Sequence, residues 1–130
     1  MNTIDLHIVR YYLSKSFGEM YSSDWIVTHL IINDVSYEIA FVYLAELEQL
    51  VRWIKSIRTK KTVKNIFDFV DPNVRFEYVD AKSVALILVF DASESCYLLS
   101  MEMLENLIIS IEKQLECFPC RCLHRHEIFD

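Results

Sequence analysis

Apolar and polar residues alternate at the start of the chain, with Ile4, Leu6 and Ile8 set against Asp5 and His7. This is the period of two that turns one face of a strand toward a core, and it predicts a first strand over residues 3–12. A polar stretch follows, containing Ser14, Lys15, Ser16, the only glycine, Gly18, and the pair Ser22 and Ser23. A second strand is predicted from Trp25 to Ile32. Asn33 and Asp34 then supply two residues that tolerate positive φ, as a tight hairpin requires. A third strand returns over Val35 to Phe41. From Leu44 the period lengthens: Leu44, Leu47, Leu50, Val51, Ile54 and Ile57 fall on one helical face, while Glu46, Glu48, Gln49, Arg52 and Lys55 are expected to face water. Beyond Arg58 the polar run from Thr59 to Lys64 reads as a loop.

The second half follows a similar plan. Strands are predicted near 66–70, 74–80 and 84–91, with a short extension at 96–99. A helix is predicted from Met101 to about Phe118. Ser100 can cap its N-terminus, Glu102 and Glu105 suit its dipole, and Pro119 stops it. Its apolar stripe is Met101, Leu104, Leu107, Ile108, Ile111, Leu115 and Phe118. Strand pairs followed by a helix, twice over, predict an α+β fold: one largely antiparallel sheet with two amphipathic helices packed on one face. The expected organisation is a single domain over residues 1–130, with 119–130 a flexible C-terminal tail.

Composition narrows the class. A hydrophobic fraction of 53% with one glycine and two prolines leaves no room for a sizeable disordered segment. The longest apolar runs, Val84 to Phe90 among them, are far shorter than the roughly 20 residues a membrane-spanning helix needs. The start Met1-Asn-Thr-Ile-Asp-Leu-His lacks the features of a secretory leader, and four cysteines are most simply reduced thiols, so a cytoplasmic location is expected. The net charge of −6 is unevenly divided. Residues 1–65 carry seven acids and eight bases, a balance of +1, and residues 66–130 carry twelve acids and five bases, a balance of −7. The bases of the first half gather in Arg52, Lys55, Arg58, Lys60, Lys61 and Lys64, where cations favour a helix C-terminus.

Catalytic signatures are absent: there is no phosphate loop, dinucleotide fingerprint, nucleophile elbow or His-Glu-x-x-His pair. His7 and His29 lie on predicted strands as outward polar residues. An acidic whole and the lack of aromatic residues interleaved with the bases from Lys55 to Lys64 argue against direct nucleic-acid binding. The tail places Cys117, Cys120, Cys122, His124 and His126 within ten residues, and these are weak candidate ligands for zinc. Recognisable zinc sites usually bring a second ligand pair from another segment, so no metal and no cofactor is favoured. A small metal- or ligand-binding domain using this tail is the alternative function.

Three stretches carry a family signal: the helix Glu46-Leu-x-x-Leu-x-x-Trp53-Ile54, the segment Phe69-Val-Asp-Pro-Asn-Val-x-Phe-Glu77, and the closing Phe118-Pro119-x-Arg121. In this order, over about residues 37–121, the chain resembles the WapI-like bacterial immunity proteins, which neutralise the wall-associated toxin WapA. The first helix departs from the pattern in having Tyr43-Leu44 where a polar cap is expected, and the cysteine-rich tail is foreign to it. The resemblance implies a non-enzymatic inhibitor of the C-terminal toxic domain of a contact or wall-associated toxin, the model toxin cleaving transfer RNA. Nucleases hold phosphate-rich substrates on cationic surfaces, which an acidic partner can occupy. Asp68, Asp71, Glu77, Asp80, Asp91 and Glu94 are the acids least committed to helix surfaces, and they form the candidate toxin-facing set. Each taken alone also reads as a solvated turn or strand residue. The implied partner is a cognate toxin domain, with no nucleic acid or membrane bound directly. Strand edges leave homodimerisation open.

Overall fold

The computed structural model describes residues 3–12, 24–59 and 64–119, with the backbone alone at 40 and 41. The elements are β1 (Ile4–Tyr11), β2 (Trp25–Ile32), β3 (Val35–Tyr43), α1 (Leu44–Arg58), β4 (Ile66–Asp68), β5 (Val74–Asp80), β6 (Ser83–Phe90), β7 (Ser93–Ser100) and α2 (Met101–Leu115). The α+β class, the antiparallel pairing and the order of elements are as the sequence predicts. The expected flexible tail lies, beyond Pro119, outside the described residues.

The strands form two sheets rather than one: β1-β2-β3 and β4-β5-β6-β7. Two-residue turns close β2 on β3 and β6 on β7, and each has positive φ at both positions: Asn33 at 49° and Asp34 at 67°, Asp91 at 52° and Ala92 at 63°. Such turns match the twist of the strands they join. Each meander therefore completes its ladders locally, and the chain leaves β3 and β7 directly into a helix. The edge of β1 is also occupied. The side-chain amide of Gln114 on α2 donates to the Leu6 carbonyl and accepts from the Ile8 N–H, both at 2.6 Å. One glutamine thus takes the place of a neighbouring strand's peptide group.

Both sheets and both helices contribute to one continuous core. It runs from Leu6, Leu30 and Ile39 through Leu47, Leu50 and Ile54 to Phe76, Leu86, Leu104 and Ile111. α1 and α2 pack on each other, α2 also meets β1 and β7, and α1 meets β3. The sheets touch directly where Tyr37 stacks on Phe90 with ring centroids 5.1 Å apart. The Tyr97 hydroxyl beside Tyr37 raises that tyrosine's pKa, with burial adding to the effect. Trp53 is buried and its indole N–H reaches the Lys64 carbonyl at 2.8 Å. Its ring meets Phe67, and Phe67 in turn meets Phe69.

Two local expectations are corrected. The extension at 96–99 is a full strand, β7, whose eight residues all pair with β6. Glu46, placed by its helical position toward water, is only 3% exposed. Its carboxylate accepts the Tyr43 N–H at 2.9 Å and the Val70 N–H at 2.7 Å. The first contact is the reach-back half of a capping box, from the third residue of the helix to the backbone N–H of the cap residue, Tyr43. α2 is capped as expected, with the Ser100 hydroxyl accepting from the Met103 N–H.

Candidate functional site

Directly opposed residues in an antiparallel ladder share a face, so the register of the four-stranded sheet sorts its side chains. Phe67, Phe76, Leu86 and Tyr97 form one row toward the core. The outward rows are Ile66, Glu77, Ala85 and Leu98, then Asp68, Arg75, Ile87 and Cys96, with Val89 and Glu94 beyond them. Three of the six candidate acids, Asp68, Glu77 and Glu94, therefore lie on one outward face.

Arg75 is the cation at the centre of that face. Its Nε lies 2.9 Å from Glu77 Oε1, and its terminal nitrogen lies 3.9 Å from Glu94 Oε1. To reach from β5 to Glu94 on β7 the arginine must cross β6, where Ile87 is its opposed residue. The aliphatic stem thus shields an outward isoleucine, which is 7% exposed. Two carboxylates thus share one guanidinium, and Asp68, the ladder partner of Arg75 on β4, adds a third acid to the face, which keeps a surplus of negative charge.

Asp71 and Asp91 extend this surplus around one end of the sheet. β4 and β6 finish there, β5 and β7 begin there, and the connecting segments carry the two aspartates. Asp71 also shapes its turn, because its Oδ1 accepts the Asn73 N–H at 3.0 Å. Asp80 is not part of this group. It lies in the β5–β6 turn at the other end, about 20 Å away at the usual rise per strand residue. There the Lys82 N–H and the Ser83 hydroxyl hold its carboxyl below the usual range, and the same contacts fix the turn.

Three further charge pairs form elsewhere among the described residues. Lys55 meets Glu112 at 2.9 Å and Arg58 meets Glu105 at 3.6 Å, so the basic end of α1 faces acids of α2. His7 pairs with Asp5 at 3.0 Å on the outward face of the three-stranded sheet, where His29 sits between His7 and Glu38 in register. Among the described residues no group of three His, Cys, Asp or Glu side chains comes together to hold a metal. Of the tail's candidate ligands only Cys117 is described, exposed just beyond α2. Cys120, Cys122, His124 and His126 lie outside the described residues. The start of the tail is attached: the Tyr11 hydroxyl donates to the Pro119 carbonyl, and the Tyr11 ring meets Phe118 edge-on at 5.4 Å.

Four residues of this surface were not singled out from sequence: Arg75, Ile66, Leu98 and Cys96. Their common signal is positional parity with Asp68, Glu77 and Glu94. That parity becomes readable only once 93–100 is recognised as a strand.

No helix among the described residues is long and apolar enough to cross a membrane. No curated protein and no solved structure matches the chain. The model of the immunity protein WapI-like family matches residues 1–119.

Proposed function

The chain belongs to the WapI-like family of immunity proteins, and from that membership we propose that it binds and neutralises the C-terminal toxic domain of a bacterial contact or wall-associated toxin. The WapA type, whose toxic domain cleaves transfer RNA, is the proposed class of target. The family match over nearly the whole chain carries this reading. The protein acts as a stoichiometric inhibitor in the cytoplasm of the cell it protects, by occupying a surface of the toxin and not by catalysis.

The acid-rich part of the four-stranded sheet supports the reading, because a domain that cleaves RNA must present cations to phosphates. The proposed toxin-facing acids are Asp68, Asp71, Glu77, Asp91 and Glu94. Asp80 is left out because it lies at the far end of the sheet.

Co-expression with the toxic domain encoded beside the gene, combined with a pull-down from the same cells, tests the function. Protection with complex formation is the expected outcome. Changing Asp68 and Glu94 to lysine should abolish both while leaving the thermal unfolding transition in place, and Asp80→Lys should retain both. A chain that neither protects nor binds would refute the immunity reading.

A further inference from the structure

The outward face of the four-stranded sheet has two unlike halves. Toward the end formed by the β4–β5 and β6–β7 connections it is acidic, with Asp68 and Glu94 on the face and Asp71 and Asp91 on the rim. Toward the middle the row Ile66, Glu77, Ala85, Leu98 is mainly apolar. Ile66 is 44% exposed and Leu98 57%, whereas Ala85 between them is 8% exposed. The longer neighbours of Ala85 in the row, Glu77 and Leu98, leave little of its methyl group open to solvent, so Leu98 stands as the exposed apolar side chain of this part of the face. Exposed aliphatic side chains beside a net surplus of carboxylates mark an interaction surface more specifically than either feature alone.

The charge decides what kind of partner fits. A second copy of the chain laid on this face would set acid against acid, which is destabilising. Nucleic acid and anionic lipid are excluded by the same sign. The other surfaces are less suited: the acids of α2 that face α1 are matched to Lys55 and Arg58, and the outward face of the three-stranded sheet carries the Asp5–His7 pair and His29 beside Glu38.

Resting on the immunity reading, we propose that this face receives a cationic surface of the toxin domain that projects one aliphatic or aromatic side chain, which packs on the exposed Leu98 beside Ala85 while lysines or arginines meet Asp68, Glu94 and the rim acids. The two halves have different kinetic roles. Long-range attraction by the acids sets the association rate and its salt dependence. The apolar contact, formed only on docking, sets the dissociation rate.

Cys96 supplies a direct readout, since its thiol is exposed on this face while Cys117 is exposed beyond α2. The purified chain, with and without a catalytically inactivated C-terminal domain of the toxin encoded beside its gene, is treated with N-ethylmaleimide, and modification is followed residue by residue by mass spectrometry. Complex formation should slow modification of Cys96 about tenfold or more and leave Cys117 unchanged, as expected for a thiol under a contact with a slow dissociation rate. In parallel binding kinetics, Leu98→Ser should raise the dissociation rate about tenfold with the association rate within a factor of about three, the cost of losing one apolar anchor. The Asp68→Asn/Glu94→Gln double variant should do the reverse, lowering the association rate and flattening its salt dependence. A complex in which Cys96 reacts at its free rate, or in which Leu98→Ser dissociates no faster, overturns the assignment of this face while leaving the immunity reading intact. Failure of the unaltered chain to bind the domain at all removes both.

Discussion

Glu46 joins two places that are far apart in sequence. It begins α1, and its carboxylate accepts N–H groups from Tyr43 on one side and from Val70, 24 residues later, on the other. Val70 precedes Asp71, so this carboxylate holds the backbone that positions one of the proposed rim acids. Burial pushes the Glu46 pKa up, the Tyr43 and Val70 N–H groups oppose that shift, and the nearby Asp71 charge adds to it. The folded chain therefore holds this proton more tightly than the unfolded chain. The stability contributed through this group is fully present below about pH 4, the ordinary glutamate range, and declines as pH rises through the raised folded value. Replacing the carboxylate by a Gln amide removes the titration and sets an NH2 group against one of the N–H donors. Glu46→Gln should lower stability by about 1–3 kcal/mol at neutral pH, and the stability difference between the unaltered chain and the variant should shrink as pH rises from about 4 toward 7. Urea unfolding at several pH values measures both effects. A variant as stable as the unaltered chain at every pH would contradict the clamp. Nothing in the helical period signalled this role, because the period places residue 46 by its own helix and the contact is made to a distant segment.

Hairpins and edges govern the element scale. The limits of β2, β5 and α1 were readable to within a residue or so, because each has a long and consistent apolar period. β7 was only partly readable: Ser93, Glu94 and Ser95 are poor strand formers, and Asp91-Ala92 lacks the glycine that usually marks such a turn. Ala92 at φ 63° lies in the left-handed region, where its Cβ is strained. Ala92→Gly should accordingly stabilise the protein by about 1 kcal/mol, less the entropy that glycine adds to the unfolded chain. A rise in the thermal midpoint with unchanged far-ultraviolet circular dichroism is the expected result. The partition into two sheets was not readable at all, nor was the contact by which Gln114, more than a hundred residues away in the chain, occupies the edge of β1. Gln114→Leu keeps the size but leaves the Ile8 N–H and the Leu6 carbonyl without that partner. The expected cost is about 1–3 kcal/mol, and amide hydrogen exchange at Ile8 should accelerate. Protection of that amide at the level of the unaltered chain would show that water or another group replaces the glutamine.

For the whole molecule, the division of charge between the two halves of the sequence becomes a division between surfaces. Two acids of α2 are matched by the bases of α1, whereas on the outward face of the four-stranded sheet Arg75 is paired with Glu77 and Glu94 and Asp68 adds a further negative charge. Counting charges along the chain revealed the excess, and the choice of Asp68, Asp71, Glu77, Asp80, Asp91 and Glu94 followed from it; that Asp80 lies at the other end of the sheet was legible only in the fold. The arginine that partly cancels the excess was hidden by its ordinary sequence context. Its role separates a local ion pair from the field of the whole face. Arg75 and its glutamates are each more than a third exposed, so the pairs are screened by solvent and contribute only about 0–1 kcal/mol to stability. Removing the arginine nevertheless makes the entire face more negative. If the acids act by attracting a cationic toxin domain, Arg75→Gln should bind that domain faster than the unaltered chain, by about two- to fivefold at low ionic strength, and its association rate should fall more steeply as salt is added. Its dissociation rate should change less. Stopped-flow association with the inactivated toxic domain at low and physiological salt measures the effect. A slower association would mean that Arg75 itself meets a carboxylate on the toxin, and that the partner's surface is patterned with both signs of charge instead of being uniformly basic.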